Sequence, residues 1–543
     1  MATARAPSPA PTAPKYRWAA PGDVSAFFGL MLDNVVNLAL LAAILVFGFG
    51  FPAALVYGRM FPGTALGVLV GDAIYTWLAF RLARRTGQDD VTAMPLGLDS
   101  PSTIGMAVAV LGPAFIAAKT RMAEADAAIV AWQVGMATVV LIGVFKIGMS
   151  FLGEHVRRLL PIAALLGSIG GVALALLGAL QLGEIFAEPV VGLVSLGIVL
   201  YALVARIRLP FGAPAVLASV LVGVAIHYAL GAVGLSLHPV TPLPDMPPPA
   251  IPLPTLGFID GLPIALRDYL PLALPFALLT ILGGINVTES ARLAGDDYRM
   301  RDILLTEGIA TLIAGVFGGV AQTTPYIGHP AYKAMGGRAA YTLATGLFIG
   351  LGGMLGYIAF LSAALPRPAL APILVFIALE IMGQAVVATP ARHVAAVLVA
   401  TLPSLAQLVV IFLSQVYNGA LLRAAIDPGG TLAATGLTNP GFVALTGTIV
   451  LLGNGFFITA MLWGAFVAFL IDRRTAAAAV TAMVAAVLAL FGFIHSVLPT
   501  GGIYFPWTTG SVVPYHWGAA YLVLAGLVAA LGAVSSSSTQ RSP

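Results

Sequence analysis

Asp33, Asp72, Glu289 and Glu380 are carboxylates set inside apolar runs. An ionisable group in a hydrocarbon-length segment is costly, so its default reading is functional, with a partner to be named. Asp33 and Asn37 are four residues apart and share a helix face, with Asn34 beside them; Asn286 and Glu289, three apart, do the same. A carboxylate flanked by amides can hydrogen-bond a polar solute and exchange a proton as the site changes sides. The other reading, helix–helix pairing, is open for each, most of all for the amides Asn34, Asn37 and Asn286. Asp33, Glu289 and Glu380 are the candidates for proton coupling. Asp72 and Glu380 are also read as structural partners for Lys333 or Arg338.

Two stretches that should be membrane helices are broken. Gln322 to Arg338 (Gln-Thr-Thr-Pro-Tyr-Ile-Gly-His-Pro-Ala-Tyr-Lys-Ala-Met-Gly-Gly-Arg) carries two prolines and several glycines, and Ala93 to Pro101 is its shorter counterpart. Unpaired backbone survives at membrane depth only inside protein or beside a wet cavity, and discontinuous helices commonly hold the solute of secondary transporters. Asp99 and Ser100 before Pro101 read as the cap of a half-helix, whose first amides favour negative charge. In the second stretch His329-Pro330 occupies the corresponding place, and Thr323, Thr324, Gly328 and His329 are its candidate solute-binding residues. His329 can donate, accept or titrate, or simply satisfy a neighbouring carbonyl. Asp89-Asp90 and Asp296-Asp297 invite a metal reading, but both lie near arginines, and capping or ion pairing is favoured. No Walker loop, HExxH or GxSxG pattern occurs, and the expectation is a protein that is not an enzyme and uses no cofactor and no metal.

These residues need a membrane scaffold. Of 543 residues 59% are hydrophobic and 9% charged, mean hydropathy is +0.98, and there is no cysteine; a soluble domain carries roughly 25% charge. Net charge is only +4, no sign of a nucleic-acid partner. Apolar runs of spanning length fall near 26–50, 61–83, 93–118 (broken), 127–150, 159–182, 187–205 and 211–232, then 269–291, 303–320, 322–337 (broken), 340–365, 369–388, 393–416 and 441–471, with two more near 476–499 and 516–535. Residues 233–266 form a Pro-rich loop. Most basic residues, among them Arg84, Arg85, Lys146, Arg157, Arg158, Arg299, Arg301, Arg473 and Arg474, fall on the side of the N-terminus, which the positive-inside rule makes cytoplasmic. An odd number of spans per half then inverts the second half relative to the first. The fold class is an all-α polytopic membrane protein with a 7+7 inverted-repeat core of 14 spans, broken at spans 3 and 10, plus two extra C-terminal spans.

At Asn286-Val-Thr-Glu-Ser-Ala-Arg, Leu304-Leu-Thr-Glu-Gly-Ile-Ala, Thr323-Thr-Pro-Tyr-Ile and Ala371-Pro-Ile-Leu-Val-Phe-Ile-Ala-Leu-Glu-Ile-Met, with Gly97-Leu98-Asp99, the chain resembles the nucleobase–ascorbate transporter superfamily, in particular its adenine/guanine/hypoxanthine permease branch. The resemblance implies a core domain (26–150 and 267–366) moving against a gate domain (151–232 and 367–471). A disordered tail (1–25), the loop 233–266 and the extra spans (472–543) lie outside them. It implies a permease of the plasma (inner) membrane that moves a purine or related nucleobase with a proton or sodium ion, with a homodimer through the gate domain. The family's span-8 acid aligns with Asn286, leaving Glu289 a turn away, and its span-10 acid falls at Gly328 or His329. Both departures keep an anion or carboxylate substrate as the alternative.

Overall fold

The computed structural model describes residues 16–98, 100–210, 213, 215–237, 246–416, 426, 440–498 and 501–539. In chain order its main elements are α1 (Gly22–Ala42), α2 (Phe61–Thr86), β1 (Leu96–Gly97), α3 (Ser100–Gly105), α4 (Glu124–Met149), α5 (Ile162–Val172), α6 (Pro189–Val199), α7 (Ala215–Ala232), α8 (Leu270–Leu293), α9 (Met300–Val316), β2 (Thr324–Pro325), α10 (His329–Ala334), α11 (Ala340–Leu355), α12 (Arg367–Val387), α13 (Val394–Val416), α14 (Pro440–Gly453), α15 (Phe456–Ile471), α16 (Thr475–Leu490) and α17 (Val513–Thr539). Several of these run on through π-helical turns, as α5 does through Ala173–Ala179. Among the described residues eight helices are long and apolar enough to cross a membrane, and α14 with α15 makes a ninth as a bent pair. With the shorter apolar helices and the two broken segments, their order is that of two sevenfold halves followed by α16 and α17.

The halves meet where β1 and β2 pair antiparallel, Leu96 opposite Pro325 and Gly97 opposite Thr324, extended by the Tyr326 amide donating to Pro95 O at 2.9 Å. Equivalent elements pairing antiparallel is what an inverted repeat requires. The two-residue ladder gives both broken segments partners for backbone groups that hydrocarbon would leave unpaired.

Close helix packing brings the strands together. Gly63, Gly67 and Gly71 run along one face of α2, the small-xxx-small spacing that lets helices touch. A methyl at these positions would meet Phe317 O at 2.4 Å, Ala314 Cβ at 2.7 Å and Leu96 Cδ1 at 2.5 Å. Asp23 ties the start of α1 to that of α11, its Oδ1 accepting from the Arg338 amide at 2.9 Å and the Tyr341 amide at 3.0 Å.

Four sequence expectations need correction. The disordered tail is too long: residues 1–15 lie outside the described residues, but Tyr16 donates to Val91 O and Trp18 O accepts from the Ala339 and Ala340 amides. The Pro-rich loop is too long as well, since a helix over Gly257–Ile264 already leads toward α8; residues 238–245 of that loop lie outside the described residues. Lys146, counted with the loop cations, is a buried side chain in the last turn of α4. The span read as 441–471 is two helices meeting at 79°.

That last break is filled by the turn after α16. The Asn454 side-chain amide donates to Ser496 O at 2.7 Å and Leu498 O at 2.9 Å, and the His495 amide donates to Asn454 O at 2.9 Å. The His495 ring stacks on Trp517 at 3.9 Å and meets the Tyr521 hydroxyl at 2.9 Å. Gly455 has φ +71, and a Cβ there would fall 2.1 Å from Phe493 O. Gly455→Ala should therefore cost more than about 1 kcal/mol, reversing the stabilisation of up to about that size which the same change brings where φ is compatible. A thermal melt of purified protein would register it as a lowered midpoint.

Candidate functional site

The extended residues before each half-helix form one wall of a cavity of about 90 Å3, room for several waters or one small solute. Asp33 and Asn37 of α1, Leu98 after β1, and Thr324, Pro325, Tyr326 and Ile327 of the second broken segment line it. Thr280 and Gly283 of α8 complete this side. Opposite stand Val172, Leu176 and Leu177 from the end of α5 and its π-helical continuation, and the rings of Phe456 and Phe457 at the start of α15. The polar side chains sit on α1, α8 and the second broken segment, whereas the other wall is apolar and aromatic. Such an arrangement, an apolar pocket with a few placed polar groups, is typical of small-molecule sites.

Two asparagines hold the first broken segment against α1. Asn34 Oδ1 accepts from the Leu98 amide at 3.2 Å, and Asn37 Nδ2 donates to Leu98 O at 3.0 Å and to Asp33 Oδ2 at 3.3 Å. Asn34 thus positions the strand, and Asn37 both positions it and faces the cavity. Asp33 is 4% exposed, and the Tyr326 phenol lies against its carboxylate.

Behind the second strand lies an ion pair that the sequence reading passed over. Lys146 Nζ of α4 sits 2.7 Å from Glu307 Oε1 of α9, both side chains at most 1% exposed, and donates to Thr323 O at 2.8 Å. Thr311 adds a contact to Thr323 at 3.1 Å. Thr323 is therefore bound into the scaffold, and the cavity is met by Thr324 instead.

The remaining sequence candidates lie elsewhere. Asn286 donates to Ser168 Oγ at 2.9 Å, joining α8 to α5. Glu289, two turns from Gly283 toward the end of α8, is buried and paired with Arg292 and, at 3.4 Å, with Arg157. Glu380 is half-buried on α12 and does not line the cavity. Gly328 caps α10, where a Cβ would strike the Tyr326 and Tyr332 rings at 2.7 and 2.9 Å. His329 points away from the cavity: its Nε2 is 3.2 Å from Asp296 Oδ2 and 3.3 Å from Thr92 O. Ser100 opens α3, and Asp99 lies outside the described residues. Lys333 and Arg338 serve neither Asp72 nor Glu380, since they engage Asp296 and the Asp90 carbonyl.

Asp296 makes the loop between α8 and α9 a clamp. It accepts from Lys333 Nζ at 2.7 Å and from the Thr92 amide at 3.2 Å, as well as meeting His329. Burial alone would raise its carboxyl, but His329 and Lys333 outweigh burial and hold it below the usual carboxylate range. A carboxyl lowered on folding adds stability above its unfolded value, about 3.9, and loses it as pH falls through the folded value. The protein should consequently melt at lower temperature as pH drops below about 4. Asp296→Asn should be less stable than wild type at neutral pH and show a smaller acid-induced drop, read from melting curves across pH.

Missed residues left some trace. Phe456 and Phe457 follow Gly453-Asn454-Gly455, a turn signal inside what reads as one apolar run. Glu307 is a carboxylate in a span and qualified on that ground alone.

No protein-family model matches the chain, and no curated protein matches it. Solved structures with similar architecture include the transmembrane domain of a cyanobacterial bicarbonate transporter, BicA, at TM-score 0.42 and 17% identity, covering 71% of this chain and 96% of that one. SLC26A9 matches at TM-score 0.43 and 14% identity over 71% of this chain and 62% of that one. Murine Slc26a9, an anion transporter in the inward-facing state, matches at 0.39 and 15% over 72% and 66%.

Proposed function

We propose that the chain is a secondary transporter that carries a small polar solute through the cavity between the two broken segments by alternating access, with a proton exchanged at Asp33. The observation that supports this reading is the cavity itself. Both halves of the repeat build it, and it brings a buried carboxylate, an amide and three hydroxyl-bearing residues together with two phenylalanine rings. A flat solute with a hydrogen-bonding edge, such as a purine or related nucleobase, would present that edge to Asp33 and Asn37 and its face to Phe456, Phe457 or Tyr326. An anion finds less support, because among the described residues no lysine, arginine or histidine lines the cavity. Lys146, whose ammonium donates to Thr323 O behind the second strand, is bound to Glu307. Core and gate sets, as the cavity divides them, are the strand-bearing side with α1 and α8 against α5 and α15.

A thermal-shift screen of the purified protein against nucleobases, carboxylates and inorganic anions tests the solute class. Stabilisation by nucleobases alone is expected, and stabilisation by anions alone would replace the nucleobase with the anion reading. Uptake into proteoliposomes tests the mechanism: saturable, gradient-driven accumulation is expected, whereas ohmic current would indicate a channel.

A further inference from the structure

On the far side of β1 from the cavity stands Asp72. Its Oδ1 accepts from the Leu96 amide at 3.1 Å. Its Oδ2 is fully buried and makes no hydrogen bond to the described residues, and the same holds for the hydroxyls of Thr76 and Thr342. Thr76 lies one turn along α2 from Asp72. Thr342 lies one turn along α11 from Gly346, the residue that packs on Asp72: a methyl there would come within 2.7 Å of its Cβ and 3.4 Å of Oδ2. A carboxylate and two hydroxyls are thus enclosed between two helices in contact.

A buried carboxylate without a cationic partner is costly by several kcal/mol. Around Asp72 the groups that could compensate it are neutral or already engaged. Tyr75 on α2 donates to Ile303 O at 3.1 Å, and Tyr341 on α11 donates to Ala93 O at 2.6 Å. Tyr332 on α10 is a neutral phenol, and Glu307 on α9 is paired with Lys146. Lys333 and Arg338 are held by Asp296 and the Asp90 carbonyl. A proton needs neither volume nor further ligands, and α11 already packs closely on Asp72 at Gly346.

The geometry points to Asp72 as a second proton-binding site, separate from the solute cavity and connected to it through β1. With Oδ2 protonated, the carboxyl is neutral while Oδ1 still accepts from the Leu96 amide. Loss of that proton leaves a charge whose strongest available donor is the same Leu96 amide, so the change is felt along the strand. Leu98, which lines the cavity and is gripped by Asn34 and Asn37, is two residues on, about 7 Å along an extended chain. A link between this proton and transport rests on the transporter reading; the presence of the proton does not.

Infrared difference spectroscopy of the purified protein at neutral pH tests it without any transport assay. Wild-type minus D72N should show the carbonyl band of a protonated carboxyl, lost in the variant, since asparagine keeps the acceptor for Leu96 but removes the acid. Spectra with the same protonated-carboxyl band in both proteins overturn the proposal. If D72N is not recovered folded, D72E moves the acid by one methylene. A protonated-carboxyl band displaced from its wild-type frequency is then expected, and a band identical to that of the wild type overturns the proposal equally. Failure of gradient-driven uptake with the band present would count against the transporter reading and leave Asp72 protonated.

Discussion

Asp33→Asn should leave the fold in place and abolish accumulation driven by a pH gradient, while weakening solute binding by roughly 10- to 150-fold. That range corresponds to about 1.5–3 kcal/mol for a hydrogen bond to a charged group. The fold should survive because asparagine is close to isosteric and the strand is held to α1 by Asn34 and Asn37. Accumulation should fail because Asp33 is the one carboxylate among the described residues that line the cavity. Radiolabelled uptake with and without an imposed gradient, beside binding by calorimetry, gives both quantities. Undiminished gradient-driven accumulation in this variant would remove Asp33 from proton exchange. Glu289→Gln supplies the contrast. Its carboxylate is occupied by Arg157 and Arg292 at the end of α8, so accumulation should persist with a modest loss of stability.

Breaking the buried pair behind the second strand should have the largest effect on stability. Lys146→Met leaves Glu307 charged and enclosed, and the expected cost is about 3–5 kcal/mol, the usual penalty for orphaning one member of such a pair. Glu307→Met should do the same to Lys146. The double variant removes both charges, and replacement of a buried pair by apolar residues of similar size is often neutral or stabilising. Melting midpoints of the four proteins form a closed cycle, and a double variant as unstable as either single one would contradict this account. Transport should separate from stability in the double variant, because Lys146 also donates to Thr323 O. Its loss loosens the strand that carries Thr324 and Tyr326 to the cavity.

The scaffold was legible because its signals are local. Proline, glycine and clustered hydroxyls mark both broken segments whatever surrounds them, and an apolar run of spanning length declares itself by composition. Asp33 and Asn37 were legible for a similar reason, since four-residue spacing on one helix puts them on one face. Partners distant in sequence were not. Lys146 sits where an apolar run ends and looks like a loop cation, until α9 brings Glu307 to it. His329 has the right chemistry for a site, yet its neighbour is Asp296 in another loop, and that contact turns the ring away from the cavity. Glu289 was separated from the cavity by helix geometry: six residues past Gly283 is about 9 Å along the axis. The 79° turn at Gly453-Asn454-Gly455 was hidden by apolar residues on both sides, although its own three residues are a turn sequence.

The turn after α16 that occupies that break has a practical consequence for anyone trimming the protein. Fourteen spans read as a complete transporter, and residues after Ile471 look dispensable. Yet the backbone of Phe493 and the carbonyls of Ser496 and Leu498 are what Gly455 and Asn454 rest on, and the next two residues are the phenylalanines facing Asp33. A chain cut after Ile471 would retain every side chain of the cavity and lose the support that shapes one of its walls. The shortest active form should therefore end beyond Tyr521, whose hydroxyl joins His495 to Trp463.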